Sequence, residues 1–299
     1  MNELDKCMLC PRNCKVNRNK GELGFCKEGN KIRIARYSLH MWEEPIISGT
    51  NGSGTIFFSG CNLNCIYCQN YQISEEHKGR EITLEEFSNI CLKLQKSGAN
   101  NINIVTGTHF IPLIRDGLLI AKKNGLTIPV VYNTSSYENV EALKLLDGIV
   151  DIYLPDLKYY DNLLGEKYSK CKDYFKYATL AIEEMIRQVG SPVIKDNIMK
   201  KGVIVRHLLL PNHLDDSKKI IKYLSKYNNK IYISIMNQYT PVRNLDYPNL
   251  NTSVSKEDYD ELVNYAYDLG IRQAFIQEGN TVKESFIPDF NIFEDLKRP

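Results

Sequence analysis

The chain has 299 residues, 43% of them hydrophobic and 25% charged, which suffices to bury a full core and fits one large α/β domain with a small appendage. Its 38 basic and 36 acidic residues are interleaved and leave a formal charge of +2, so no basic stripe points to nucleic acid. No apolar run approaches the roughly 20 residues that cross a bilayer, and the polar, cysteine-bearing start is unlike a signal peptide, so a cytoplasmic protein without a membrane partner is expected.

Nine cysteines in a reducing compartment argue for metal ligation over disulfides, and seven of them fall into two tight groups. The first group is Cys7-Met-Leu-Cys10-Pro-Arg-Asn-Cys14, completed by Cys26 after a glycine-bearing turn. Four thiols so spaced make a closed tetrathiolate site, which suits structural zinc or an iron–sulfur cluster. The Cys-x-x-Cys-Pro pattern leans towards a second cluster, and zinc stays open. The segment is too short for an apolar core of its own, so the metal would fold it. Residues 31–50 alternate apolar and charged residues, as a half-exposed strand does, and run into Trp42-Glu-Glu-Pro45. They read as a connector, giving a metal-binding segment over 1–50 and a main domain over 51–299.

From Thr55 the pattern becomes apolar strand, loop and amphipathic helix in repetition, the mark of βαβ units on a parallel sheet. Strands are expected over 55–59, 102–106, 128–132, 151–154, 203–208, 231–235 and 273–276. Helices are expected near 83–97, 110–124, 137–146, 173–189, 215–227 and 255–269. Thr83 with Glu86, Ser135 with Glu138 and Ser255 with Asp258 read as caps, and Pro112 suits a first turn. Cys91 reads as core filler on a helix face. The second cysteine group, Cys61-Asn-Leu-Asn-Cys65-Ile-Tyr-Cys68, follows the first of these strands directly. Three thiolates hold three irons of a cubane and leave the fourth open to a non-protein ligand. A zinc knuckle would need a fourth ligand, and His77 lies nine residues on in a charged segment.

Polar residues gather at successive strand ends: Thr106-Gly107-Thr108-His109, Asn133-Thr134, Asp156-Leu-Lys158, Arg206-His207, His213 and Gln238. A barrel would bring all of them to one mouth. Histidine is the side chain most easily tuned for proton transfer near neutrality, so His109 and His213 are candidate catalytic groups, as is Lys158; the bland alternative is a histidine that shapes a loop. Arg206 reads as a carboxylate-pairing residue in a strand.

The Cys61–Cys65–Cys68 spacing, with Gly60 before it and Tyr67 within it, resembles the radical S-adenosylmethionine (SAM) superfamily. Together with Thr106-x-Thr-His109, Val131-Tyr-Asn-Thr-Ser, Asp151-Ile-Tyr-Leu-Pro-Asp-Leu-Lys158 and Val205-Arg-His, it looks like the pyruvate formate-lyase activating enzyme-related branch. The resemblance implies a partial (β/α)6 barrel. It also implies a 4Fe-4S cluster on Cys61, Cys65 and Cys68 whose open iron is chelated by SAM. Reductive cleavage of SAM to methionine and a 5'-deoxyadenosyl radical would be driven by flavodoxin or ferredoxin. Tyr67, Thr106, Gly107, Thr108, Asn133, Thr134, Asp156, Lys158 and His207 are the implied SAM contacts, with Asp156, Asn133 and Thr134 near a monovalent cation site. Here Gly107 stands where the relatives carry proline, and the usual acidic residue of the second strand end is missing.

The expected function is hydrogen abstraction from a substrate, either a glycine of a glycyl-radical enzyme or a small molecule or peptide. A non-catalytic iron–sulfur or zinc protein is the alternative from another class.

Overall fold

The computed structural model of the chain describes residues 3–277 and 288–296. In chain order the elements are β1 (Ile32–His40), α1 (Pro45–Ser48), β2 (Ser53–Phe58), α2 (Tyr71–Ser74), β3 (Arg80–Ile82), α3 (Leu84–Lys96), β4 (Ile102–Val105), α4 (Ile111–Lys123), β5 (Val130–Thr134) and α5 (Val140–Leu143). They continue as β6 (Ile152–Pro155), α6 (Asn162–Ser169), α7 (Tyr174–Val189), β7 (Val193–Lys195), β8 (Ile198–Leu208), α8 (Leu214–Leu224), β9 (Tyr232–Met236), α9 (Lys256–Asp268), β10 (Ala274–Ile276) and β11 (Glu294–Asp295).

All seven expected βα strands are present, and β2, β4, β5, β6, β8, β9 and β10 run parallel to one another in one sheet. Among the described residues the order runs from β10 at one edge to β11 at the other, an open sheet such as a partial barrel has. Residues 31–50 do more than connect. β1 pairs antiparallel along the whole of β2, with Tyr37 opposite Ile56 and His40 opposite Ser53, and it is buried on both faces. Alternation of charged residues suggested a half-exposed strand; instead β3 and β11 pair along the edge of β1 opposite β2, and the Phe293 ring packs against Tyr37.

The helices follow their local signals. Thr83 and Glu86 form a reciprocal capping box at α3, and the Ser255 side chain accepts from the Asp258 N–H at α9. Ser135 does not cap. The helix starts later, at Val140, and the Glu138 carboxylate is taken by the Thr108, Thr134 and Tyr132 hydroxyls. Gly117 lets α4 approach α3, because a Cβ there would collide with the ring of Phe87.

Period-two alternation sorts the strand residues between two layers. Val130 and Tyr132 of β5, Tyr153 of β6, and Val203 and Val205 of β8 pack outwards into the main core under the helices. Val131, Ile152, Leu154 and Ile204 point inwards and close over Ile47 of α1, which plugs one end of the sheet's concave face. Cys91 and Cys171 are both buried in the outer core.

The N-terminal cysteine segment lies against the barrel. The Arg12 guanidinium donates to the carbonyls of Asn62, Leu63, Ser169 and Lys170, tying the segment to the cysteine loop and to the end of α6. Arg18, fully buried, donates to the carbonyls of His109 and Gly29. His109 in turn donates from Nε2 to the Ser59 carbonyl, 2.7 Å away, so it braces the start of the cysteine loop from below.

Burial drives the His109 pKa down to about 3. An unfolded histidine titrates near pH 6.5, so between about pH 6.5 and pH 3 the unfolded chain binds a proton that the folded chain refuses, and stability falls with falling pH. His109→Gln should lose this component. In urea unfolding measured from pH 8 to pH 4, the stability gap between wild type and variant should be flat above pH 6.5 and narrow below it. A constant gap would show that His109 is not held neutral.

Candidate functional site

The inward layer continues past the strand ends into a cavity of about 470 Å3. Alternation explains its composition. On β8, Arg206 points in and His207 points out, and beyond β6 Asp156 and Lys158 point in while Leu157 joins the outer core.

The polar floor is an ion-pair network around Arg206. Its Nε donates to Asp156 Oδ1 at 3.0 Å, Nη1 to Glu43 Oε2 at 3.2 Å and Nη2 to Asn133 Oδ1 at 2.5 Å. Lys158 Nζ holds the other Asp156 oxygen at 2.7 Å, and Asn103 donates to the other Glu43 oxygen at 2.9 Å. Burial alone would raise the Asp156 pKa, but Lys158 and Arg206 together hold it below its usual value. Glu43 lacks a second cation, and burial leaves its carboxyl raised. The oxygens expected to take a monovalent cation, on Asp156 and Asn133, are thus already occupied by cations of the chain itself. These residues do not fit an alkali ion as arranged.

At the loop after β2, Cys61, Cys65 and Cys68 line the same cavity, none in a disulfide. The loop leaves β2 through Gly60, whose φ of +78° is left-handed and whose missing side chain makes room for Glu28. Each sulfur accepts one hydrogen bond: Cys61 from the Leu63 N–H at 3.3 Å, Cys65 from Ser169 Oγ at 2.9 Å, and Cys68 from Ser74 Oγ at 3.3 Å. Ser169 is itself held by Tyr159, and Tyr159 by Tyr67, through hydroxyl pairs of 2.7 and 2.6 Å. Burial raises the Cys61 thiol and pushes Cys68 up to about 12, so without a cationic group these two stay protonated. Among the described residues no three Cys, His, Asp or Glu side chains meet at a single point to grip one bare ion. A cubane asks for something else, because it spreads its thiolates over separate irons. Three free thiols on one wall, each with a donor aimed at its sulfur, fit that group.

Cys7, Cys10, Cys14 and Cys26 surround a separate small pocket beside Asn62 and His109. Burial raises Cys10 to about 12 and Cys26 to about 11, and Cys14 Sγ accepts from the Phe25 N–H at 3.3 Å.

Of the other residues expected at the mouth, Tyr67, Thr106, Asn133, Thr134, Asp156 and Lys158 line the cavity. Thr106 does so with φ at +61°, a left-handed conformation that a β-branched residue rarely adopts and that concentrates at functional sites. Gly107, Thr108 and the three histidines do not line it. Gly107 faces Ile114 and Ile104, and Thr108 donates to Glu138. His109 is turned towards the N-terminal cysteines. His207 is fixed between the Leu157 carbonyl and Ser217 Oγ at 2.7 and 2.8 Å. His213 lies against Tyr168 and Asn249. These histidines follow strands, as proton-transfer groups would, but alternation and loop direction turn them away.

Sequence reading missed His40, Glu43 and Glu44, which line the cavity from the end of β1 and the segment after it. The adjacent carboxylates of Trp42-Glu-Glu-Pro45 were the available signal. His40 is kept neutral, with its pKa lowered to about 4 by burial and by Arg36 and Arg206.

A model of the radical SAM superfamily matches residues 55–236. The chain belongs to this superfamily. It is 34% identical over 280 residues to an uncharacterized protein of Methanocaldococcus jannaschii, covering 89% of this chain and 75% of that one. It is 25% identical over 205 residues to the pyruvate formate-lyase-activating enzyme of Staphylococcus aureus, covering 61% and 73%. Its fold is similar to that of the FeFe-hydrogenase maturase HydG from Carboxydothermus hydrogenoformans, with a TM-score of 0.52 at 13% identity. That match covers 79% of this chain and 55% of HydG. Radical SAM membership implies an enzyme that uses a 4Fe-4S cluster and SAM. Among the described residues no helix is long and apolar enough to cross a membrane.

Removing Arg206 strands the Glu43 and Asp156 carboxylates in the barrel. Arg206→Met should cost about 3–5 kcal/mol in denaturant unfolding at neutral pH, and the loss should shrink on acidification as the carboxylates protonate. A loss below about 1 kcal/mol would mean that the network contributes little.

Proposed function

We propose that this radical SAM chain cleaves SAM reductively at a cluster carried by Cys61, Cys65 and Cys68, and that the cavity is where the resulting radical meets its substrate. The observation that carries this reading is the shared wall: the three thiols open onto the same cavity as Thr106, Asn133, Thr134, Asp156 and Lys158. The cluster, when bound, supplies the electron that splits SAM into methionine and a 5'-deoxyadenosyl radical.

The chain's own residues do the rest. Asp156 orients Lys158, whose Nζ offers a cation to the SAM carboxylate. The hydroxyls and carbonyls of Thr106 and Thr134 supply partners for the ammonium and ribose groups where the usual acidic residue is missing. Phe57 and Val105 pack as an apolar wall that keeps water from a reactive carbon. Donors on all three sulfurs stabilise added negative charge and so raise the potential at which the group accepts an electron. The electron donor is a flavodoxin or ferredoxin.

A volume of about 470 Å3 is that of a small-ligand site, so SAM and a reacting group enter while the remainder of a large substrate stays outside. That suits a small molecule and also a glycine of a partner protein, the target suggested by the activating-enzyme relative. An electron carrier or structural metal protein has no use for such a cavity.

Anaerobically reconstituted protein given dithionite and SAM should release 5'-deoxyadenosine and methionine, and Cys65→Ala should release none. Full cleavage by the variant would sink the proposal. For the N-terminal thiols we propose a second cluster. Iron and sulfide analysis should then give about eight irons per chain; about four irons with one zinc would make that site structural zinc.

A further inference from the structure

Among the described residues the charged lining of the cavity does not balance. Glu43, Glu44 and Asp156 bring three carboxylates and Lys158 and Arg206 two cations, while His40 stays neutral. Lys158 is committed to Asp156, and the Arg206 donors go to Asp156, Glu43 and Asn133. Glu44 is the carboxylate left over. It is 8% exposed, Ser234 and its own backbone N–H supply hydrogen bonds to its carboxylate, and its Oε2 has no partner among the described residues. Burial raises its pKa, against the field of Arg206.

Acidic side chains are almost never this buried unless paired, and an unpaired one is costly. No described residue supplies a cation to it, and what the cavity binds can. The position of Glu44 separates it from the cysteines. It follows β1, whose C-terminal His40 lies opposite Ser53 at the start of β2, whereas Cys61 follows the far end of β2. An occupant reaching Glu44 passes Phe57, Phe275 and Ile276, which line the same cavity with apolar surface.

We propose that Glu44 is the recognition residue of a substrate subsite for an ammonium group on a short apolar stem. The inference rests on the cavity being the radical SAM active site. It assigns the Glu44 end to the second substrate rather than to the ammonium of SAM.

The test uses reconstituted holoprotein with SAM bound and two isosteric probes, n-butylamine and 1-butanol, followed by ligand-observed NMR titration. A charge-assisted bond to Glu44 should make butylamine bind roughly tenfold more tightly than butanol, and Glu44→Gln should bring the two together. Equal binding to wild type, no detectable binding of the amine, or a preference that survives in Glu44→Gln would each overturn it. So would amine binding seen without SAM and abolished by SAM, which would give Glu44 to the SAM ammonium. The comparison of probes on wild type stands without the variant, should the variant fold poorly. Calorimetry of SAM with the wild-type holoprotein tests the active-site reading separately: absent SAM binding fails that reading and not the preference for an amine.

Discussion

One guanidinium organises the inside of this barrel. Arg206 stands on β8 and reaches Asp156 beyond β6, Asn133 on β5 and Glu43 from the segment after β1. Backbone ladders fix the spacing of neighbouring strands but not the side chains projected into the space they enclose. The Arg206 network does that, holding groups from four places in the sequence in one arrangement. It also fixes the electrostatics, since among the described residues both cations of the cavity floor, Arg206 and Lys158, are anchored to Asp156. What stays available to a ligand is set by what the network leaves unpaired.

This explains why the cavity differs from the site that strand-end residues suggested. Every strand of the parallel run was legible, because apolar runs between turn signals admit few alternatives at that length. Tyr67, Thr106, Asn133, Thr134, Asp156 and Lys158 reach the cavity as their positions implied. The histidines do not, and the reason is parity. A shift of one residue along β8 separates Arg206 inside from His207 outside, and strand ends read to within a residue or two cannot resolve it. Glu43 and Glu44 were obscured for a different reason. Their segment looked like a linker because its charges alternate, yet β1 is a buried strand inside the sheet, with β2 along one edge and β3 and β11 along the other.

The same distance effect governs the cysteine loop. Cys65 receives its hydrogen bond from Ser169, more than a hundred residues away, and Ser169 is oriented by the Tyr159–Tyr67 hydroxyl pair. The motif shows which sulfurs share the cavity wall. Its surroundings, which govern potential and solvent access, come from α6 and from the N-terminal segment.

Arg12 ties these parts together, and the order of assembly follows from it. Its guanidinium joins carbonyls of the cysteine loop and of the end of α6, partners 50 to 158 residues away along the chain. Contacts of such separation close late, after local helices and strand pairs have formed. The loop therefore takes its final shape only when residues up to Lys170 have folded and the N-terminal segment has docked. The thiols of the cysteine loop are thus framed by a part of the chain that lies about a hundred residues beyond them.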